Sequence, residues 1–192
     1  MNLENKTIGF ALTGSFCTFD RVFPRVKELR DAGANVIPIL SFNAYSLDTR
    51  FYKAEEVREI LTDATGVEPL HTLEGVEPIG PKRLLDLLII APCTGNTLAK
   101  LAAGIADTPV TLAAKSHLRN DGPVLVGVST NDGLAAAAKN IGELLARRYY
   151  YFIPFSQDDA VKKPRSLVAH MEEMGRCAEL ALEGEQAQPV LN

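Results

Sequence analysis

Five apolar runs, each followed by a helical pattern, dominate the chain: "KTIGFALTG" (6–14), "ANVIPILSF" (34–42), "LLDLLIIAP" (84–92), "GPVLVGVS" (122–129) and "YYYFIPF" (149–155). These runs are apolar throughout rather than alternating, which is the signature of strands buried on both faces. Such strands pair in parallel, and parallel pairs need a crossover element that packs back onto the sheet with right-handed sense. The segments between them supply it. "TFDRVFPRVKELRDAG" (18–33) places Phe19, Val22, Phe23, Val26 and Leu29 at helical spacing, with Pro24 expected in the first turns. Helices are likewise expected over 53–66, closed by Gly66, over 96–106, over 108–120 from Thr108 and Pro109, and over 131–148 from a cap at Asn131 or Asp132. A last amphipathic helix is expected over 166–182, and residues 67–81, broken by prolines, read as a long loop. The architecture is therefore a three-layer α/β/α sandwich around a parallel sheet. One domain is expected over 1–184, with a loose tail over 185–192.

Charge and cysteine usage narrow the function classes. The net charge is −4 with no long block of one sign, so neither a nucleic acid nor a membrane surface is the expected partner. The three cysteines are few, odd in number and far apart, which fits a reducing cytoplasm, and no ligand spacing for a metal is present.

In an open parallel sheet, ligands bind beyond the carboxyl ends of the strands. The segments there are "TGSFCTF", "SFNAYS", "PCTGNT", "STNDG" and "PFSQDD". They are rich in hydroxyls, amides and glycines and poor in strong acids, bases and nucleophiles. Helix-start N–H groups favour anions, and small hydroxyl side chains add donors without bulk. A phosphorylated, partly apolar planar ligand suits this rim, a nucleotide or a flavin mononucleotide. Neither GxGxxG nor GxxxxGK[ST] occurs. Thr94 or Asn96 could instead serve only as a helix cap.

The segment "APCTGNTLAKLAAGIADTPVTLAAK" resembles the Pro-Ala-Ser-Ala-Asn-Thr segment of the homo-oligomeric flavin-containing Cys decarboxylase family, and the likeness runs from Lys6 to Phe155. "STNDGL" falls where that family carries Pro-x-Met-Asn. The resemblance implies a flavodoxin-like (Rossmann-like) topology, FMN as cofactor and a homo-oligomer built on trimers. It implies that Gly14, Ser15 and Ser41 hold the phosphate end, that Pro92, Thr94, Gly95, Asn96 and Thr97 line the ribityl chain and ring, and that Ser129, Thr130 and Asn131 face the ring or a carboxylate. Asn96 and Asn131 are the catalytic candidates.

The family's decarboxylases carry a histidine where this chain has Glu77, in "GVEPIGP", while His71 lies six residues earlier. A carboxylate differs from an imidazole in charge and in ordinary pKa, which argues against the same acid–base role at neutral pH. The stretches 77–115, "VSTNDGL" and "FIPFSQDDAVKKPRSLVAHM" are closer to a two-subunit oxidoreductase within the family. That likeness implies a separate partner chain carrying NAD(P), and a small dicarboxylate substrate; Arg119 or Lys100 is our own suggestion for its counter-charge. The alternatives are a decarboxylase or prenyltransferase of the same family, or a non-catalytic assembly subunit. Cys17 and Cys93 read as packing residues, His170 as a surface or interface residue, and His117 with Arg119 as a possible anion or subunit contact. Asp158, Asp159, Lys162 and Lys163 read as a solvated ion cluster or a lid. Ser129 has no triad arrangement around it.

Overall fold

The computed structural model describes residues 2–191. In chain order the regular elements are β1 (Thr7–Leu12), α1 (Phe19–Asp31), β2 (Asn35–Leu40), α2 (Phe42–Ser46), α3 (Ala54–Thr65), α4 (Leu73–Val76), β3 (Leu87–Cys93), α5 (Gly95–Ala103), α6 (Pro109–Leu118), β4 (Val124–Thr130), α7 (Ala138–Leu145), β5 (Tyr150–Phe152), β6 (Phe155–Asp159), β7 (Lys163–Ala169) and α8 (Met174–Leu182). Parallel pairing runs β2-β1-β3-β4-β5, with Ile8 level with both Val36 and Leu87, and Leu88 level with Val124. That order is doubly wound, and it reverses direction between β1 and β3. Helices α1 and α8 pack together on one face, while α6 and α7 flank α5 on the other. The three-layer sandwich expected from the apolar runs is the observed fold. β3 is buried at every position, and Phe10, Phe19 and Phe152 anchor a single continuous core.

Local chemistry sets several boundaries. Thr94 caps α5, its Oγ1 accepting from the Thr97 N–H at 3.2 Å, and Thr108 caps α6 in a reciprocal box with Thr111. Gly66 ends α3 with φ +73°, a left-handed value that a Cβ would resist.

Elsewhere the structure departs from expectation. The stretch 67–81 is not structureless: α4 is followed by a 3-10 turn at Glu77–Ile79. The helix expected from 131 starts only at Ala138, without a side-chain cap. Residues 131–137 are held instead as turns, with the Leu134 N–H donating to the Arg165 carbonyl at 3.0 Å. The largest correction is at 163–182. The first part of this span is strand β7, antiparallel both to β6 and to the end of β4, so the sheet is mostly rather than wholly parallel. Only the second part is helical, as a turn at Met171–Glu173 followed by α8. The described end of the chain is also not loose. Gln186 clasps Phe152, accepting from its N–H and donating to its carbonyl, each at 2.7 Å, while the Phe155 N–H donates to the Val190 carbonyl. Ala187 is buried.

Candidate functional site

Thr13 joins the first and third loops of the carboxyl rim. Its Oγ1 donates to the Pro92 carbonyl at 2.7 Å and accepts from the Thr94 N–H at 3.0 Å. Ser129 joins the first and fourth. Its carbonyl accepts from Ser15 Oγ at 2.7 Å, and its hydroxyl is 2.7 Å from Thr18 Oγ1. Thr13, Thr18 and Ser129 are all buried, so these bonds form with little competition from water. They fasten three chain crossings around one cavity of about 690 Å³. It sits where the strand order reverses, the position at which doubly wound sheets take ligands.

Of the residues singled out from sequence, Gly14, Ser15, Thr94, Gly95, Asn96, Ser129, Thr130 and Asn131 line this cavity. Ser41, Pro92 and Thr97 do not. Ser41 Oγ caps α2 by accepting from the Ala44 N–H. Its loop still borders the first one: Asn43 Cβ lies 3.9 Å from where a Cβ on Gly14 would sit. Pro92 is buried in β3 beneath the cavity and contributes its carbonyl to Thr13. Thr97 is committed to the Thr94 cap.

Two groups of backbone donors face this region. The Gly14, Phe16 and Cys17 N–H groups, and those of Gly95 and Asn96 at the start of α5, have no hydrogen-bond acceptor among the described residues. Helix starts leave such donors free by construction. Gly14 has an ordinary φ, and a Cβ there would meet nothing closer than the Phe16 ring at 3.5 Å, so folding alone does not demand glycine. Gly95 is tighter: a Cβ would lie 2.7 Å from Thr130 Oγ1 and 2.8 Å from Asp132 Oδ1. Thr130 donates its hydroxyl to Asp132, which holds that carboxylate against the start of α5.

Sequence reasoning misplaces the cations here. Arg21 and Lys163 line the cavity, each beside an acid: Glu172 lies 3.4 Å from Arg21, and Asp158 lies 2.6 Å from Lys163. The counter-charges expected, Lys100 and Arg119, are elsewhere. Lys100 pairs with Asp107 at 2.7 Å, and Arg119 lies on the opposite rim. Arg21 is legible as a charge in the first turn of a helix that follows a Gly-Ser loop. Lys163 stands out as part of an ion cluster, but its place depends on the β6–β7 hairpin, which also brings Ser166, Leu167 and Val168 to the cavity wall.

Other candidates resolve simply. Cys17 is exposed and lines the cavity, contrary to a packing role, whereas Cys93 is buried and burial pushes its thiol pKa up. His117 is buried, its Nε2 3.0 Å from the Pro123 carbonyl, so it does not form an anion contact. Glu77 is exposed outside the cavity lining, and His71 stacks on Tyr45 with ring centroids 3.6 Å apart. His170 stands between β7 and the turn that precedes α8, 3.6 Å from Glu172.

A doubly wound sheet with a polar, glycine-edged cavity at its switch point places this molecule among the nucleotide- and flavin-binding α/β proteins. The chain belongs to the Flavoprotein family, whose profile matches residues 1–173. Among individual proteins, it is 45% identical over 190 residues to the B subunit of dipicolinate synthase from Bacillus subtilis (strain 168), covering 99% of this chain and 95% of that one. The crystal structure of the dipicolinate synthase B subunit from Bacillus halodurans C superposes with a TM-score of 0.92 at 43% identity, over 100% of this chain and 98% of that chain. The fold extends to more distant proteins. Burkholderia xenovorans DmrB, solved in complex with FMN, matches with a TM-score of 0.68 at 20% identity, over 93% of this chain and 96% of that one.

Proposed function

We propose that this chain is the flavin-binding component of a two-subunit dipicolinate synthase. With a second, different polypeptide that carries NAD(P), the A component of the synthase, it takes part in oxidising a dihydrodipicolinate to dipicolinate, pyridine-2,6-dicarboxylate, during sporulation. Its place is the cytoplasm of the mother cell, in a homo-oligomer built on trimers. The observation that carries this reading is the convergence of residues 14–18, 94–96 and 129–132 on one cavity at the switch point. The likeness to the two dipicolinate synthase proteins, and the FMN bound in a protein of the same fold, support it.

The residues present fit FMN. The free N–H groups of Gly14, Phe16 and Cys17 suit a phosphate, with Ser15 beside them and the Ser41 loop behind. The missing side chain at Gly14 admits a close backbone approach. Thr94, Gly95 and Asn96 suit the ribityl chain and ring edge, with Pro92 and Thr97 supporting them from below. Thr130 and Asn131 stand on the facing wall, steadied by Ser129. Bound flavin would supply a two-electron redox centre.

The chain's own residues position the dicarboxylate. Arg21 and Lys163 are the cations at hand, and the amides of Asn96 and Asn131 can hydrogen-bond a carboxylate without repelling it. Asp132 would repel a carboxylate from the Thr130 side and so bias the ligand's orientation. Cysteine decarboxylation is disfavoured, because Glu77 stands where the family's decarboxylases carry a histidine and Asp132 follows Asn131 in the segment matching Pro-x-Met-Asn.

The test is dipicolinate formation by the two components together and apart, with and without FMN. The proposal expects a protein that takes up FMN and a product that needs both components and flavin. A protein that takes up no FMN, while the pair remains active, supports a non-catalytic assembly role instead.

A further inference from the structure

A second pocket of about 460 Å³ opens on the opposite rim of the sheet, between the ends of α5 and α6 and the segment that leads into β5. Its floor is apolar, with Leu101, Ile105 and Leu118. Its charged lining is entirely cationic: Lys115, Arg119, Arg147 and Arg148. Two of these are already engaged. Arg147 donates to the Leu101 and Ala102 carbonyls and pairs with Glu143, closing the end of α5. Arg148 lies over the Tyr149 ring, 5.2 Å from its centroid. Lys115 and Arg119 have no ion-pair partner among the described residues.

Tyr150 supplies an independent observation. It lines this pocket while only 8% exposed, and its hydroxyl has no hydrogen-bond partner among the described residues. The hydroxyl is not among the fully buried unpaired polar atoms, so it is the accessible end of an otherwise buried side chain and is open to the pocket. We propose that this pocket binds a small anion with an apolar body, its charge held by Lys115 and Arg119 and an acceptor atom taken by the Tyr150 hydroxyl. Burial pushes the Tyr150 pKa up to about 12, outweighing the nearby Arg147, so the phenol remains a donor across the neutral range. The volume lies within the range of small-molecule sites, and the combination of apolar floor and few polar anchors is that of a ligand pocket. The site is separate from the switch-point cavity, and the two lining sets share no residue.

The probe is 8-anilinonaphthalene-1-sulfonate, an apolar anion that fluoresces when sheltered from water. Titrated into the full chain, with and without added FMN, it should bind saturably in both cases, with affinity falling as salt is raised. The double variant Lys115→Gln with Arg119→Gln should weaken binding at least tenfold. Tyr150→Phe, which keeps the ring in the core, should weaken it about threefold. A control pair on exposed helix faces, Lys27→Gln with Lys139→Gln, removes the same charge and should leave binding unchanged. Circular dichroism confirms that each variant is folded. Absence of saturable binding by the natural chain overturns the proposal, as does equal weakening by the control pair or no weakening in the Lys115 and Arg119 variant. None of these outcomes bears on whether FMN occupies the other rim.

Discussion

Glycines on the two rims of the sheet have opposite reasons to be there. On the amino rim, Gly122 precedes β4, and a Cβ there would fall 2.2 Å from His117 Cε1 and 2.3 Å from Nε2. On the carboxyl rim, a Cβ on Gly14 would meet ordinary van der Waals contact at 3.5 Å. At Gly122 the space is filled by the His117 ring, and the glycine serves folding. At Gly14 no neighbour demands the missing side chain, and the glycine edges the switch-point cavity. Gly95 lies between these cases, since the atoms crowding it belong to polar side chains of the cavity wall rather than to the core.

Mutating the two glycines separates these roles. Gly122→Ala should lower unfolding free energy by about 3 kcal/mol, because the His117 ring must move and its bond to Pro123 is lost. Urea denaturation measures this, and a change below about 1 kcal/mol would show that the amino rim is looser than its packing implies. Gly14→Ala should change stability by no more than about 0.5 kcal/mol. The same variant should weaken FMN binding about tenfold, close to 1.4 kcal/mol. Loss of stability together with unchanged flavin affinity would reverse the assignment of the two rims.

Asn96→Asp sharpens the contrast at one position. Asn96 is exposed in the first turn of α5, where an acid interacts favourably with the helix dipole by about 0.5 kcal/mol. The same charge disfavours an anionic ligand, so the melting temperature should hold or rise slightly while FMN affinity drops about tenfold. Unchanged affinity, read by visible absorption, would place the flavin away from α5.

Thiol labelling probes the carboxyl rim directly. Iodoacetamide on the native protein should modify Cys17 and spare the buried Cys93 and Cys177. Saturating FMN should slow that reaction several-fold. Equal rates with and without FMN would put the flavin outside reach of Cys17.

The smallest effect is a pH dependence from the His117 ring beside Gly122. Burial holds the His117 pKa below its ordinary 6.5, against the opposing influence of the Pro123 carbonyl and Asp86. The unfolded chain therefore takes up a proton near pH 6.5 while the folded chain does not. Stability is full above that value and falls as pH drops from it toward the folded pKa. His117→Asn should flatten this part of the stability profile, and an unchanged slope would assign the dependence to another group.

How far these two rims are visible in the sequence differs. The hydroxyl, amide and glycine residues after β1, β3 and β4 stand out because each interrupts a strand-to-helix junction. The caps at Thr94 and Thr108 are legible for the same local reason. Their convergence follows from parallel topology, which the continuous apolar runs dictate. The cavity's cations are harder. Lys163 reaches it only because β7 pairs with Ser129 and Thr130 at the end of β4. The run 166–182 has apolar spacing that a helix satisfies, and only that distant strand end makes its first part extended.

Local chemistry alone determined the five buried strands, most crossover helices and the chemical character of the loops at the strand ends. Periodicity, capping and turn chemistry act over a few residues and are written where they act. Tertiary structure decided the late start of α7, the β6–β7 hairpin, the docking of Gln186 on Phe152 and the choice of Arg21 and Lys163 over Lys100 and Arg119. Each of these depends on a hydrogen bond or contact whose partner is far along the chain. Folding brings the partner close, and no neighbouring residue announces it.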